Sequence, residues 1–306
     1  MEHKDALSKI KDREKCKLIN SNNKLNNLKS DYFIQKLFDY IYKRKSLEII
    51  KYNKSIQRRI NININNYKEY SEIYSSIEIE IKSMKNECGR FINGFINVDE
   101  DLKEYYHIYY NDNKEEEEIK STYLYEDDKL SKINIIIDYH VTSFKGLFFC
   151  CKCIESIYFK KFYRNNITDM SYMLFRCSSL KELNLNNFNT NNVTNMRFMF
   201  SGCSSLKELN LINFNTKNVI DMNSMFRECS SLKKLNLNNF NAKNVTDMSS
   251  MFRECSSLKE LNLINFNTNK VTDMSRMFSG CSDELKLKIK SKYKIFKEEA
   301  FEDDDD

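Results

Sequence analysis

Residues 244–269 read NVTDMSSMFRECSSLKELNLINFNTN, and this unit of 26 residues recurs in register along the second half of the chain. A fixed period of about 20 to 29 residues indicates tandem units that stack on one another. Several positions keep the same residue type from unit to unit. They are Cys177, Cys203, Cys229, Cys255 and Cys281; Met199, Met225, Met251 and Met277; Leu183, Leu209, Leu235 and Leu261; and Phe188, Phe214, Phe240 and Phe266.

The spacing of apolar residues changes inside each unit, which predicts two kinds of local structure. Leu206, Leu209 and Leu211 follow the pattern Leu-x-x-Leu-x-Leu, and the alternation at its end predicts a short strand. The Asn-Phe-Asn-Thr stretch that follows supplies turn residues. From Asp247 to Cys255 the spacing is helical, with the aspartate in the position of an N-cap. We therefore expect a strand, a turn and a short helix or 3₁₀ turn in every unit, with one core shared by the stack.

Divergent copies extend the array at both ends. Residues 133–137 are predicted to form a strand, and Cys151 keeps the register of the conserved cysteines. After Cys281 the expected leucine positions fall on Leu287 and Ile289, among lysines that would protect a terminal strand from pairing with another molecule. The sequence thus predicts about seven strands in a parallel sheet about 30 Å long.

The predicted fold class is α+β: a leucine-rich-repeat solenoid with a parallel β-sheet on the concave face, preceded by a small α+β N-terminal domain. The string Asn-Val-Thr-Asp-Met-Ser-x-Met-Phe-x-x-Cys-Ser-Ser-Leu resembles the BspA-type 26-residue leucine-rich repeats of bacterial and protist surface proteins. The resemblance implies a repeat solenoid, in many members a secreted or anchored adhesin. The predicted divisions are a polar segment (1–30), the small α+β domain (31–130), the repeats with divergent end units (131–292) and an acidic tail (293–306).

The region before the repeats predicts a pair of amphipathic helices followed by strands. The helices are expected from about Asp31 and from near Ser46, and the strands at 77–81, 91–98 and 105–110. The helix pair is also faintly similar to an F-box, which docks substrate adaptors on a ubiquitin ligase, although the usual Leu-Pro opening and late Trp are absent. That similarity implies a ubiquitin-ligase scaffold as a partner through residues 31–60. The alternative is an N-terminal cap of two helices.

Composition and charge argue against several classes of protein. The chain of 306 residues has a net charge of +5 with lysines interleaved among acidic residues, so no basic stripe indicates nucleic acid. With 5 Gly, 3 His and no recognisable catalytic motif, we expect a non-enzymatic protein without a cofactor. The sequence has no signal segment and no apolar run near the roughly 18 residues of a membrane helix, which predicts a cytoplasmic protein without membrane insertion. The family resemblance makes the cell surface the alternative.

Two ladders of chemically active side chains recur with the same period. One cysteine per unit could bind metal or form disulfides, but a zinc site needs four converging ligands, so packed thiols are favoured and no metal is expected. Asp169, Asp221, Asp247 and Asp273, with Asn195 in the same position, could hold calcium or cap backbone N–H groups. Capping is favoured, because asparagine replaces a capping aspartate well and a calcium-binding carboxylate poorly.

The outward positions of the predicted strands form the candidate binding surface. Residues next to inward-facing leucines point to the open face of such a sheet, where repeat proteins commonly bind. We expect a protein partner there; a ubiquitin-ligase adaptor and a surface adhesin are the alternative functions. These positions hardly vary between units, which indicates a repetitive ligand or a recent duplication. The candidate residues are Glu182, Asn184, Glu208, Asn210, Ile212, Asn236, Glu260, Asn262 and Ile264.

Overall fold

The chain divides into two compact units, Met1–Tyr74 and Ser75–Asp306. The prediction separated the N-terminal domain from the repeats at residue 130, whereas the structure separates the units after Tyr74. Almost all of the predicted polar segment lies outside the described residues. A computed structural model describes residues 30–32, 34, 53–63, 65, 68–69, 72, 74–83, 93–111, 118–119, 121–124, 132–138 and 140–303.

In the first unit, helix α1 (Lys54–Arg59) is short and capped by a side chain. The Asn53 side-chain oxygen accepts a hydrogen bond from the N–H of Ile56 at 3.1 Å, which satisfies a backbone donor at the start of the helix. Ile56 is buried. Most of the predicted helix pair falls outside the described residues, and so does most of the F-box-like stretch 31–60.

In the second unit, the described residues form three sheets. The largest has five strands in the order β3-β5-β1-β6-β7, and the others pair β2 with β4 and β8 with β9. The β6–β7 and β8–β9 pairs are parallel, and the remaining pairs are antiparallel. The strands are β1 (Ile77–Ser83), β2 (Asn93–Gly94), β3 (Tyr106–Tyr110), β4 (Tyr123–Leu124), β5 (Ile133–Ile137), β6 (Ile154–Lys161), β7 (Glu182–Asn184), β8 (Lys234–Asn236) and β9 (Glu260–Asn262).

Strand β1 lies at the centre of the five-stranded sheet and carries the alternation seen in the sequence. Ile77, Ile79 and Ile81 are buried, because every second side chain of a strand faces the same side. Ile79 pairs with Ile135 of β5, and Ile81 pairs with Ile157 of β6. The strands predicted near 77, 105 and 133 are thus confirmed, and β1 joins them directly to the first divergent repeat.

The repeats are joined by a column of stacked turns, which we call the turn ladder. Alternate N–H groups of one segment donate to carbonyl groups 25 residues further along the chain. Ser224 N lies 2.9 Å from Ser249 O, and Phe226 N lies 2.9 Å from Met251 O. Isolated parallel bridges link the first residues of successive segments. The segments are 143–150, 169–176, 195–202, 221–228, 247–254 and 273–280.

The short helix or 3₁₀ turn predicted in each unit is not formed, because the backbone of the ladder follows successive turns with positive φ. Two residues of every segment have positive φ, as Ser224 (53°) and Glu228 (61°) do in one of them. Ser224 is the third residue of a turn that closes when Met225 N donates to Met222 O at 3.2 Å. A positive φ at that position is typical of a type II turn and cannot continue an α-helix.

A continuous core fills the space beside the turn ladder. Aromatic rings from successive units stack nearly parallel, with centroids 5.5 Å apart for Phe200 and Phe226 and 5.6 Å apart for Phe226 and Phe252. The conserved cysteines are buried, and each thiol donates to a carbonyl of the preceding unit, as Cys229 Sγ does to Phe200 O at 3.2 Å. The prediction of packed thiols is confirmed for these cysteines, and one ring and one thiol per unit explain the strict 26-residue register.

The predicted leucine-rich-repeat solenoid with a parallel β-sheet on its concave face is wrong. The strand segments, residues 180–185, 206–211, 232–237 and 258–263, are all described, yet 206–211 contains no strand and the other three contain only β7, β8 and β9. The fold is instead a mixed five-stranded sheet with two small separate sheets and few helices. One physical reason is local: the asparagine of each Leu-Asn-Leu bonds a backbone N–H two residues on, which competes with extended pairing.

A helix follows the last repeat where the sequence predicted a final strand. Helix α2 (Asp283–Lys292) begins after Ser282, whose side chain accepts from the N–H of Leu285. Leu285 and Ile289 are buried and four residues apart, so they share one helix face, while Leu287 is exposed. The predicted terminal strand at Leu287 and Ile289 is therefore wrong. Burial of Leu285 and Ile289 on one helix face decides the structure, and not the alternation of apolar residues with lysine that the sequence shows.

The short 3₁₀ helix Glu298–Ala300 closes the turn ladder. Arg276 N donates to Glu299 O at 2.7 Å, so the last repeat finds a backbone acceptor as the earlier ones do. The Phe301 ring stacks on Phe278 with centroids 5.1 Å apart. The C-terminal segment thus supplies one further rung and one further ring. Within the described part of the chain, no helix is long and apolar enough to span a bilayer.

Candidate protein-interaction face

The nine candidate residues lie on, or directly after, the strand segments of four successive units, and we call them the Asn–Glu face. Seven of them are exposed and two, Asn184 and Asn262, are half-buried. The segments that carry them do not form one sheet. The distance between equivalent residues of neighbouring units is therefore determined by the turn ladder and the core. The face consists of Glu182, Asn184, Glu208, Asn210, Ile212, Asn236, Glu260, Asn262 and Ile264.

The asparagines of this face act on their own backbone. In each unit the side-chain oxygen accepts a hydrogen bond from the N–H two residues on, at 3.1 Å from Asn210 to Ile212 and at 3.1 Å from Asn236 to Asn238. Such a turn ends the extended stretch after three residues. The amide oxygens are therefore structural, and among the described contacts only the amide nitrogens of Asn210 and Asn236 remain for a partner.

The glutamates of the face have three different environments. Glu182 accepts a hydrogen bond from the Tyr158 hydroxyl, and this hydrogen bond raises the pKa of Tyr158. Glu260 pairs with Lys234 of the preceding unit at 2.7 Å, on an exposed surface where such a pair contributes little stability. Glu208 is exposed and forms no ion pair with any described residue. Among the described residues, Glu260 is thus the glutamate of the face with a cationic partner, Glu182 is held by a neutral hydroxyl, and Glu208 has neither contact.

Two isoleucines are the least expected residues of the face. Ile212 is 71% exposed and Ile264 is 65% exposed, and both occupy the position held by Asn186 and Asn238 in the units between and before them. The phenylalanines two residues further on are 6.3 Å (Phe214 to Phe240) and 6.5 Å (Phe240 to Phe266) apart between ring centroids, so the two isoleucines are separated by roughly twice that spacing. The fold does not require them, because asparagine occupies the same position in two sister units.

A cleft of about 630 Å³ lies where the Asn–Glu face meets helix α2. The Tyr293 hydroxyl donates to Asn262 Oδ1 at 3.3 Å and accepts from Leu263 N at 3.1 Å. Lys259, Lys288 and Lys292 also line the cleft. The C-terminal segment thus covers one end of the face.

The aspartates of the turn ladder cap backbone N–H groups, as predicted. Asp247 Oδ1 accepts from Ser249 N at 2.9 Å and from Ser249 Oγ at 2.6 Å. Asn195 makes the equivalent bond to Arg197 N at 3.0 Å. Burial raises the pKa of the half-buried Asp221, and the neighbouring Asp247 raises it further. The caps close turns and not helices, but the chemistry is the one that the sequence indicated.

The buried thiols are poor nucleophiles. Burial raises the pKa of the Cys203 and Cys281 thiols to about 12, and it raises the pKa of Cys229 and Cys255 well above its usual range. A thiol that stays protonated is a weak nucleophile and a weak metal ligand. In the described part of the chain, no three His, Cys, Asp or Glu side chains converge as a metal site would require.

A second series of asparagines, next to the conserved phenylalanines, has a structural role that the sequence did not predict. Asn213 Nδ2 lies 2.5 Å from Asn186 O, and Asn265 Nδ2 lies 2.5 Å from Asn238 O. Each amide donates to a carbonyl of the preceding unit and so holds two units together. An asparagine does precede the conserved phenylalanine in each of the four clear units. Because asparagine is a common turn residue, its recurrence there did not indicate a contact between units.

These features define a class of protein: tandem 26-residue units stacked on a ladder of turns, with a polar face that carries isolated exposed isoleucines. The chain belongs to the family described as "Mycoplasma protein of unknown function, DUF285", whose profile matches residues 142–261 and, in an overlapping second match, residues 207–299. The two matches together cover the repeats and about half of the chain. No curated protein and no solved structure matches it.

Proposed function

We propose that this chain is a non-enzymatic protein-interaction module that binds a protein partner through the Asn–Glu face. The observation that carries the proposal is the exposure of Ile212 (71%) and Ile264 (65%) on a surface that is otherwise polar. Isolated exposed apolar side chains are common, but here two recur on one face at the same position of alternate units. A partner that covers both side chains would gain about 2 kcal/mol of binding free energy from the burial of each.

The chemistry around the isoleucines also supports a partner. The exposed Glu208 forms no ion pair with any described residue and so offers a charge to a partner. The amide nitrogens of Asn210 and Asn236 offer donors in fixed positions, because each side-chain oxygen is held by the backbone. Fixed donors lose little entropy on binding. The repeat unit, moreover, resembles BspA-type repeats, which many surface proteins use to bind other molecules.

The sister units supply substitutions that test the face without disturbing the fold. Ile212→Asn and Ile264→Asn restore the residue found at Asn186 and Asn238, and Glu208→Lys introduces the residue found at Lys234. Replacing the face asparagines would be a poorer test, because their side-chain oxygens cap the backbone.

The measurement is retention of proteins from a cell extract by the immobilised chain, compared by quantitative mass spectrometry. We expect at least one protein to be held by the natural chain and lost by the double Ile212→Asn, Ile264→Asn variant. The control is Ile220→Thr, which removes an exposed isoleucine of the turn ladder and introduces the residue found at Thr194 and Thr246. If the double variant retains the same proteins as the natural chain, the Asn–Glu face is not the binding surface.

A further inference from the structure

A second surface lies on the turn ladder at its N-terminal end. Four aromatic side chains form a cluster there, which we call the aromatic row: Phe149, Tyr172, Phe175 and Phe198. Phe149 stacks on Phe175 with centroids 5.0 Å apart, and Tyr172 stacks on Phe198 at 4.9 Å. Phe149 is 43% exposed and the other three are half-buried, so ring edges face solvent across three successive units.

The later units show that the fold does not need these rings. Ser224 and Ser250 occupy the position of Tyr172 and Phe198 with the same positive φ, at 53° and 55°. The equivalents of Phe175 are Ser201, Arg227, Arg253 and Ser279. The conserved positions of each unit are core, whereas these two positions change from large aromatic side chains to serine or arginine along the stack, and Ser201, Ser224 and Ser279 are buried. The aromatic row is therefore a local specialisation of the first units.

A cleft of about 460 Å³ adjoins the aromatic row. Its walls include Phe149 and Tyr172 from the row, Phe144 and Leu147 from the ladder segment of Phe149, and Leu102 from the 3₁₀ helix Glu100–Tyr105. Phe144 and Leu147 belong to the core, so part of the cleft wall is apolar, and Asp99 is the one carboxylate among the residues that line it. A cleft of this kind accepts an apolar side chain of a partner, in the manner of the buried anchors at the centre of protein interfaces.

Positive charge surrounds the rings. Arg176 Cζ lies 5.1 Å from the centroid of Phe175, and Arg197 Cζ lies 5.1 Å from the centroid of Phe198. Both arginines and Lys145 are exposed, and among the described residues neither guanidinium group has a carboxylate within 4.0 Å. Arginine over an aromatic ring keeps its fork of donors pointing outward, where it suits a carboxylate.

We propose that the aromatic row binds an extended acidic segment of a partner protein. One apolar side chain of that segment enters the cleft beside Phe149 and Tyr172, and its carboxylates pair with Arg176 and Arg197. Three rungs of about 4.8 Å correspond to about three residues of extended chain, so a short motif spans the site. This surface shares no residue with the Asn–Glu face, and it goes beyond the function proposed for that face.

The test measures fluorescence anisotropy of a labelled leucine–glutamate peptide titrated with the full chain. We expect saturable binding, and binding weaker by about tenfold or more for the counterpart with lysine in place of glutamate. Single-stranded oligothymidylate and a chitin oligosaccharide are titrated in parallel. Binding of either one with loss in the aromatic variants would assign the row to a nucleic acid or a sugar and overturn the proposal.

The variants again come from the sister units. Tyr172→Ser with Phe198→Ser introduces the residues of positions 224 and 250, and Arg176→Glu introduces the residue of position 228. Each should weaken peptide binding about tenfold or more, whereas Ser250→Ala should leave it unchanged. Thermal unfolding checks the fold, and the exposed Arg176→Glu variant decides the question if the serine pair unfolds. Absent binding, or unchanged binding by Arg176→Glu, overturns this proposal and leaves the test of the Asn–Glu face independent.

Discussion

The turn ladder and the strand segments belong to the same 26-residue unit, yet they join neighbouring units in different ways. In the ladder, backbone hydrogen bonds between units are regular and short, as at Met222 N to Asp247 O (3.0 Å) and Glu228 N to Arg253 O (2.8 Å). In the strand segments they are less regular: Lys259 N lies 2.9 Å from Lys233 O, but Lys233 N lies 3.4 Å from Lys207 O, and residues 206–211 contain no strand. The ladder thus holds the stack together, while the strand segments are ended locally by their asparagines.

This difference separates two roles within one short repeat. The ladder places its backbone, its thiols and one phenylalanine per unit inside, so most of its positions cannot vary. The strand segments bury their leucines but leave the neighbouring side chains to solvent. Variation is tolerated on the strand segments and at the few outward positions of the ladder, and these are the places where both proposed binding surfaces lie.

The largest expected effect comes from breaking the ladder backbone. Ser224→Pro removes the N–H that bonds Ser249 O at 2.9 Å and demands a negative φ where the chain has 53°. We expect a loss of about 3 kcal/mol or more in the free energy of unfolding, measured by urea denaturation. Ser224→Gly is the control, because glycine accepts positive φ, and it should stay within about 1 kcal/mol of the natural chain. Equal stability of the two variants would contradict the role of the ladder.

A smaller effect separates the caps of the two regions. Asp247→Ala removes bonds from both Ser249 N and Ser249 Oγ, and we expect a cost of about 1–2 kcal/mol. Asn236→Ala removes one bond from Asn238 N on the exposed face, and about 0.5 kcal/mol is expected. Both are measured by denaturation under the same conditions. A larger loss from the Asn236 variant would reverse the proposed difference between ladder and strand segments.

The smallest effect concerns the charge of one ladder rung. Burial raises the pKa of Asp221 in the folded chain, so the folded state binds the proton more tightly and stability falls as pH rises through that range. Asp221→Asn should therefore raise the free energy of unfolding at neutral pH, by less than about 1 kcal/mol for a half-exposed group, and with it the melting temperature. The gain should vanish in acid. Asp273→Asn, on the exposed last rung, is the matched control. A gain that grows in acid would contradict the sign.

The register of the repeats was predictable from sequence because it follows from side-chain identity. Cys229, Phe226 and Met225 recur at fixed spacing and are buried, and Asp247 caps a backbone N–H as its position indicated. The strand at 77–81 was also predictable, since alternating isoleucines have one structural solution on a half-buried sheet.

The conformation between the conserved positions was not predictable, because it depends on backbone angles that the residues themselves do not favour. Ser224 and Glu228 have positive φ without being glycine, and hydrogen bonds to the neighbouring unit, together with the turn bond from Met225 N to Met222 O, stabilise that conformation. The spacing of Met and Phe therefore indicated a helix where turns occur. The Leu-Asn-Leu motif indicated a strand, although Asn210 bonds its own backbone. For the candidate site, the alternation in each unit predicted which side chains face solvent, whereas the high exposure of Ile212 and Ile264 could be read only from the structure.

The terminal rung at Glu298–Ala300 has a consequence for how such proteins change over time. It joins the last repeat partly through a backbone hydrogen bond, Arg276 N to Glu299 O, which is available in any unit. Each inner ladder segment likewise exchanges its ladder hydrogen bonds with the segments before and after it. A whole unit can therefore be duplicated or deleted inside the stack while both ends stay the same. Chain length in this architecture is adjustable in steps of 26 residues, and the reach of its outer surfaces changes with it.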